Sequence, residues 1–268
     1  MAHERSIIAI DVGNTRAKFG RFAISRSGVI TPVEIVARML NATDDLSQAF
    51  QQWWAGQHCP QPLAAMVAGS DPDVRDELIG RWPLKQCDPT VVNSYQQIPV
   101  TVDVDVPARV GIDRLLNVYA ASKLLKLPQP VIAVDSGTAT TVDLMTSDGM
   151  FRGGSILPGL RLSAHAMHDY TARLPLLNFD ETLSTDLPEV PGRNTESAMR
   201  AGLFIGQLGA VKELASRLTD AAMWRFGEAT EPHLFVTGGG GRQLVEYLPN
   251  ATYVDSLALH GLAMLCFA

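Results

Sequence analysis

The chain has 268 residues, 46% of them hydrophobic and 19% charged, a composition that can bury a core and lies far from the polar, highly charged range of disordered chains. A net charge of −6, with no window that concentrates Lys and Arg, argues against a nucleic-acid partner, whose phosphates call for clustered cations. Cys59, Cys87 and Cys266 have neither CxxC nor Cys/His ligand spacing, so no disulfide framework or zinc site is suggested and a reduced cytosolic protein is the plain reading. The opening MAHERS runs straight into a short apolar stretch that meets Asp11, which leaves no room for a signal-peptide core. The closing LALHGLAMLCFA is too short to span a membrane and reads as a buried terminal helix.

In chain order, the first forty residues read as strand, tight turn, strand, strand: SIIAID, GNTRAKFGRFAI and VITPVEIVARML. Residues 44–56, DDLSQAFQQWWAG, begin acidic and carry apolar groups at helical spacing, which predicts a helix. PLAAMVAGS predicts a strand entering a Gly-Ser turn, and DPDVRDELIGRW and LLNVYAASKLLK predict helices. Residues 130–145, PVIAVDSGTATTVDLM, then repeat the opening: apolar strand, Asp, any residue, Gly, a polar residue, a further apolar segment. This is a candidate internal duplication of α/β units, with the boundary between halves near residues 115–130. Beyond it, MFRGGSILPGL predicts a strand breaking into a Gly/Pro loop, GLRLSAHAMHDYTARL a helix and NFDETLSTDLPEVPGRN a polar connection. TESAMRAGLFIGQLGAVKELASRL predicts a long helix with Thr195 near its start, and HLFVTGGGGRQLVEYL a strand, a Gly-rich turn and a helix.

A carboxylate at the end of a buried strand needs compensation. In Asp11-Val12-Gly13-Asn14-Thr15, Gly13 frees the backbone to turn so that N–H groups, with the Asn14 and Thr15 side chains, surround a phosphate. Asp11 would then suit Mg2+ beside that phosphate; the alternative is a strand-end Asp that caps an ordinary turn. The second copy offers the hydroxyls of Ser136, Thr138, Thr140 and Thr141, and Asp135 as another hard-oxygen cation ligand. Two such loops behind apolar strands in opposite halves suit a nucleotide gripped between duplicated lobes. There is no Walker A motif and no GxGxxG after the first strand, so neither the P-loop nor the dinucleotide fold is supported.

Glycine runs at residues 237–241 and at Gly153 to Gly159 would let a nucleoside approach the backbone, or are plain turns. Asp113 beside Arg114, ahead of a helix, is either a solvated ion pair or a base with an anion-binding neighbour. His165 and His168 read as surface or satisfied histidines. Trp53, Trp54, Met145, Met150, Met167 and Met199 read as core or interface filling.

Taken in order, DVGNT, GIDR, DSGTATT, GGSILPG, NTESAM and TGGGG, spanning residues 11 to 241, resemble the type III pantothenate kinases of the acetate and sugar kinase/Hsp70/actin superfamily. The resemblance implies an α/β fold of two duplicated actin-like (ribonuclease H-like) lobes, residues 1–118 and 119–268, with a nucleotide cleft between them. It implies ATP-dependent phosphorylation of pantothenate to 4'-phosphopantothenate, the first step of coenzyme A biosynthesis, by a cytoplasmic homodimer with no nucleic-acid or membrane partner.

Residue by residue, Asp11, Val12, Gly13, Asn14, Thr15, Arg16, Ala17 and Lys18 match the family's ATP-binding segment, and Thr138 a further ATP contact. Asp135 matches the ligand of a required monovalent cation, K+ or NH4+. Gly111, Ile112, Asp113 and Arg114 match the pantothenate-binding segment, with Asp113 as proton acceptor, and Thr195 matches a substrate contact. At Val104 the chain departs from the family, which often carries a substrate-facing aromatic there. Two rival readings keep the fold: a kinase of another small hydroxyl acceptor, and a non-catalytic regulatory protein.

Overall fold

A computed structural model describes residues 5–40, 45–57, 62–85, 87–179 and 187–268. Cys59 and residues 180–186 of the polar connection lie outside the described residues. The first part of the chain forms β1 (Arg5–Val12), β2 (Arg16–Ile24), β3 (Ile30–Met39), α1 (Leu46–Gly56), β4 (Ala64–Gly69), α2 (Pro72–Gly80) and β5 (Pro89–Val92). A short strand β6 (Thr101–Val102) precedes α3 (Ile112–Leu124). Then come β7 (Val131–Ser136), β8 (Ala139–Met145), β9 (Met150–Pro158), α4 (Leu160–Asp169), α5 (Thr195–Asp220), β10 (His233–Thr237), α6 (Gly241–Val245), β11 (Ala251–Tyr253) and α7 (Leu257–Leu265).

The strands make two mixed sheets, one ordered β3-β2-β1-β4-β5 and the other β11-β10-β7-β8-β9-β6. In each, the first three strands form an antiparallel meander, and the fourth and fifth continue the sheet in parallel on the other side of the first. Apart from β6, which pairs parallel with the edge of β9, the second sheet repeats the first strand for strand. The duplication inferred from the Asp-x-Gly repeat is thus present in the strand order.

The chain divides into two compact units: Met1–Val100, Asp105–Ala120 and Ser256–Ala268 form the first, Thr101–Val104 and Ala121–Asp255 the second. A single cut at 118/119 does not describe these units, because Thr101–Val104 belongs to the second and the carboxyl-terminal segment returns to the first. That return has a packing cause. The helix α7 is apolar on all sides and must be covered, and it packs on β1, β2 and β4. Gly261 lies so close to the Leu116 backbone of α3 that a side chain would not fit between them.

In the first unit, alternate residues Ile8, Ile10 and Val12 of β1 join Phe19 of β2, Phe50, Trp53 and Trp54 of α1, and Leu78 of α2 in one buried cluster. Both tryptophans are therefore core residues. In the second, Ile132 and Val134 of β7, Val142 and Leu144 of β8 and Val236 of β10 pack against Leu160 of α4 and Phe204, Leu208 and Val211 of α5. Burying one such phenylalanine or leucine is worth about 1.5–3 kcal/mol, so these faces are held mainly by area removed from water.

Two sequence expectations are corrected here. Gly153 to Gly159 is not a loop: β9 runs through Pro158 and pairs along its length with β8. The glycines and proline suggested a break, but ladder pairing with a central neighbour overrides local propensity. The helix expected over residues 159–174 stops at Asp169, with the Tyr170 N–H donating to the Ala166 carbonyl.

Candidate active site

Asp11 stands one residue before the end of β1, opposite Lys18 on β2 and Ala68 on β4. The chain then turns, the Gly13 N–H donating to the Arg16 carbonyl at 2.9 Å and the Thr15 carbonyl accepting from the Leu40 N–H at 2.9 Å. Asn14 and Thr15 are exposed at the tip, Gly13, Arg16 and Lys18 are half-buried, and Val12 and Ala17 are buried. The Val12 carbonyl accepts from the Asp71 N–H at 3.4 Å, and the Asp71 carboxylate caps α2 by accepting from the Val74 N–H at 3.2 Å. The turn is thereby tied to the helix that follows β4.

A cavity of about 680 Å3 is lined by Asp11, by Ala68 to Ser70 after β4, by Asn93 to Gln96 after β5, and by Ala108 and Val110 to Asp113 before and within α3. All of these residues belong to the first unit. Asp11 and Asp113, remote in sequence, therefore face the same space. Asp113 occupies the first turn of α3, where unpaired N–H groups and the helix dipole favour a carboxylate. Its Oδ1 accepts from the Arg114 N–H at 2.9 Å. A Cβ on residue 111 would crowd the same oxygen, so the carboxylate would have to shift if Gly111 were replaced.

Gly111 and Ile112 line the cavity with Asp113, whereas Arg114, Thr195 and Val104 are not among its lining residues. Thr195 opens α5 in the second unit, behind a reciprocal capping box between Asn194 and Ser197. Val104 lies beside Gly153, also in the second unit.

Asp135 holds in β7 the place that Asp11 holds in β1, opposite Thr141 on β8 and Thr237 on β10. Its turn is tighter, with the Gly137 N–H donating to the Ala139 carbonyl at 3.0 Å. The Ser136 carbonyl accepts from the Gly240 N–H at 3.0 Å, and the Thr138 carbonyl from the Gly159 N–H at 3.0 Å. The four hydroxyls that the sequence offers to a phosphate differ in exposure. Ser136 and Thr140 stand opposite one another in the β7–β8 ladder and are buried, while Thr138 is exposed and Thr141 half-buried.

Sequence reasoning missed Gln207, the residue that holds those buried hydroxyls. Its Nε2 donates to Ser136 Oγ at 3.2 Å and to Thr140 Oγ1 from within α5. Its Oε1 is buried with no hydrogen-bond partner among the described residues. A polar residue on the buried face of a long amphipathic helix is the one local sign of such a clamp. The glycine run after β10 likewise has a protein neighbour rather than open space: a Cβ on Gly238 would sit 2.5 Å from both Asp135 Oδ1 and the Ser136 carbonyl.

Among the described residues no group of three or more His, Cys, Asp or Glu is arranged to hold a metal ion. At the second strand end, Asp135 offers a carboxylate between two hydroxyl-bearing residues, Thr141 and Thr237. That donor set suits a hard cation that keeps much of its hydration and shares it with phosphate. His165 and His168 are exposed on α4, and the His168 ring shares a hydrogen bond of 2.9 Å with the Leu174 carbonyl.

A sheet built twice to one strand order, with an Asp-x-Gly turn after the first strand of each copy, defines an α/β protein of the duplicated actin-like fold. The type III pantothenate kinase model matches residues 7–217, and the chain belongs to that family. It is 39% identical over 263 residues to a type III pantothenate kinase from Rhodopirellula baltica, covering 90% of each chain. To that of Gluconobacter oxydans it is 33% identical over 244 residues, covering 87% of this chain and 82% of the relative.

Among solved structures, a Campylobacter jejuni protein provisionally described as a Baf family transcriptional activator aligns over 96% of both chains at 19% identity, with a TM-score of 0.58. A Sinorhizobium meliloti protein provisionally described as 2-dehydro-3-deoxygalactonokinase aligns over 97% of this chain and 98% of that one at 13% identity, with a TM-score of 0.53. These two likenesses establish the fold.

Proposed function

We propose that this kinase transfers the γ-phosphoryl group of ATP to the primary hydroxyl of pantothenate in the cavity lined by Asp11 and Asp113, yielding 4'-phosphopantothenate for coenzyme A synthesis. The observation that carries the reading is the pairing of these two carboxylates in one cavity with the Gly111–Asp113 turn. Asp113 accepts the hydroxyl proton as the acceptor oxygen bonds to the γ-phosphorus. The bond to the β–γ bridging oxygen breaks, and ADP departs with that electron pair. Little of the rate in such a transfer comes from covalent chemistry by the protein; positioning and charge stabilisation supply most of it.

The turn from Asp11 to Lys18 is assigned to the ATP phosphates, with Thr138 as a further ATP contact. Arg114 and Thr195 are assigned to the acceptor. Asp135 would hold a monovalent cation, K+ or NH4+, and Asp11 would hold Mg2+ through water. Those cations supply neutralisation of the phosphate charge when bound. We further take the enzyme to be a cytoplasmic homodimer; among the described residues no helix is long and apolar enough to cross a membrane.

The direct test is ADP release, measured with pantothenate and with a panel of other small hydroxyl acids and sugars, each with and without potassium. Potassium-dependent release with pantothenate is expected. Release with another acceptor alone would overturn the pantothenate reading, and release equal in sodium and potassium would remove the cation role from Asp135.

A further inference from the structure

The cavity wall contributed by residues 93–96 corresponds to no motif in the sequence and has no assigned role, yet it is built with care. Its backbone is held from within. Gln97 Oε1 accepts from the N–H groups of Asn93 and Ser94, both at 2.9 Å, while its Nε2 donates to the Val91 carbonyl at 2.8 Å. Ser94 and Gln97 complete a reciprocal capping box around the 3-10 turn Tyr95–Gln97. The buried side chains of Ile98 and Val100 anchor the far end. Gln97 and Ser94 thus meet the structural demand, and Asn93 and Tyr95 are among the residues that line the cavity.

The charge of the cavity says what these side chains meet. Its described lining residues include two carboxylates and no Lys or Arg, and Tyr95 is the one aromatic residue among them. An acceptor that is itself an acid must place its hydroxyl at Asp113 and keep its carboxylate away from Asp11 and Asp113, because like charges repel most strongly where water is displaced. Asp113 is half-buried, whereas Asn93 and Gln96 are exposed and carry neutral amide donors. The acid end therefore belongs on the Asn93 side, where the carboxylate stays hydrated and still meets hydrogen-bond donors.

We propose that Asn93 and Tyr95 are specificity-determining residues that bind the amide-and-carboxylate tail of the acceptor. The Asn93 amide and the Tyr95 hydroxyl donate to its oxygens, and the Tyr95 ring covers its apolar middle. The proposal rests on the pantothenate reading above.

The test measures KM and kcat of wild type, Tyr95→Phe and Asn93→Asp with pantothenate and with a neutral N-alkyl pantothenamide. For Asn93→Asp, the KM for pantothenate should rise about tenfold and that for the amide about twofold or less, since the new charge faces only the acid. For Tyr95→Phe, both acceptors should lose affinity by about three- to tenfold with the KM for ATP unchanged, one hydrogen bond being removed. Unchanged acceptor KM values in both variants would overturn the proposal. So would a fall in kcat, or a rise in the KM for ATP, without a change in acceptor KM, which would mark the segment as structural. If wild type releases no ADP with pantothenate, the pantothenate reading itself falls and this proposal with it.

Discussion

The ends of β1 and β7 stand at one position of a repeated sheet, and setting them side by side separates what the fold requires from what the site requires. In each, the residue after the Asp lends its carbonyl to the N–H of the residue that precedes a helix: Val12 to Asp71 in one, Ser136 to Gly240 in the other. In each, the fourth strand leads to a glycine with no room for a Cβ, Gly69 against the Val12 carbonyl and Gly238 against that of Ser136. These shared features belong to the sheet. The differences belong to function. Beside Asp11 lies a cavity that also holds Asp113, and the neighbouring helix is capped by a carboxylate, Asp71. Beside Asp135 the turn is a residue tighter, its hydroxyls are clamped by Gln207, and the helix position matching Asp71 is Gly240. One copy places two carboxylates at a cavity; the other packs its hydroxyls against Gln207 in a shorter turn.

The largest effect expected of a change at this pair is at the glycines. Gly238→Ala adds a clash with Asp135 and Ser136 to the strain of a φ of 84°, whereas Gly69→Ala adds only a clash with Val12. Both should lower stability, Gly69→Ala by about 1–3 kcal/mol and Gly238→Ala by about 1 kcal/mol more. Thermal unfolding of the two variants measures this, and equal losses would contradict the stricter packing assigned to the second turn.

Next comes Gln207→Leu, which removes the donor to Ser136 and Thr140 without touching the first cavity. The KM for ATP should rise about tenfold while the KM for pantothenate stays within about twofold, as expected for one lost buried hydrogen-bond donor. A rise in the pantothenate KM instead would contradict the assignment of the turn that carries Thr138 to ATP.

The smallest effect is expected far from both. The Thr146 hydroxyl donates to Asp148 and holds its carboxyl below the usual carboxylate range, helped by the Met150 N–H and by Arg152. A depressed folded-state pKa contributes stability above the unfolded value of 3.8, and that stability is lost as pH falls through the folded value. Because the group is largely exposed, Asp148→Asn should cost less than about 1 kcal/mol at neutral pH, and the difference should shrink in melts as pH falls below the unfolded value of 3.8.

The parts of this enzyme that were legible in its sequence are those written locally. An apolar run closing on Asp-x-Gly needs only adjacent residues to declare a strand and a turn, and it does so twice, at Asp11 and at Asp135. The GIDR stretch could be noticed but not read from its own spacing, because Asp113 gains its meaning from sharing a cavity with Asp11. Gln207 was hidden for the same reason, its partners lying 71 and 67 residues away. The strand through Gly153 and Gly154 was misjudged because glycine reports local freedom, while pairing with β8 is decided by the whole sheet. Asn93 and Tyr95 carry no pattern at all, since a cavity wall needs only side chains at the right place on a fixed backbone.

The most direct test of the account replaces Asp113 by Asn and measures ADP release with pantothenate alongside ATP binding by calorimetry. The variant should lose turnover by about 10²–10⁴-fold, the usual worth of a general base, while its affinity for ATP stays unchanged. Turnover near that of wild type would remove Asp113 from the reaction and leave the cavity without the base on which this account depends.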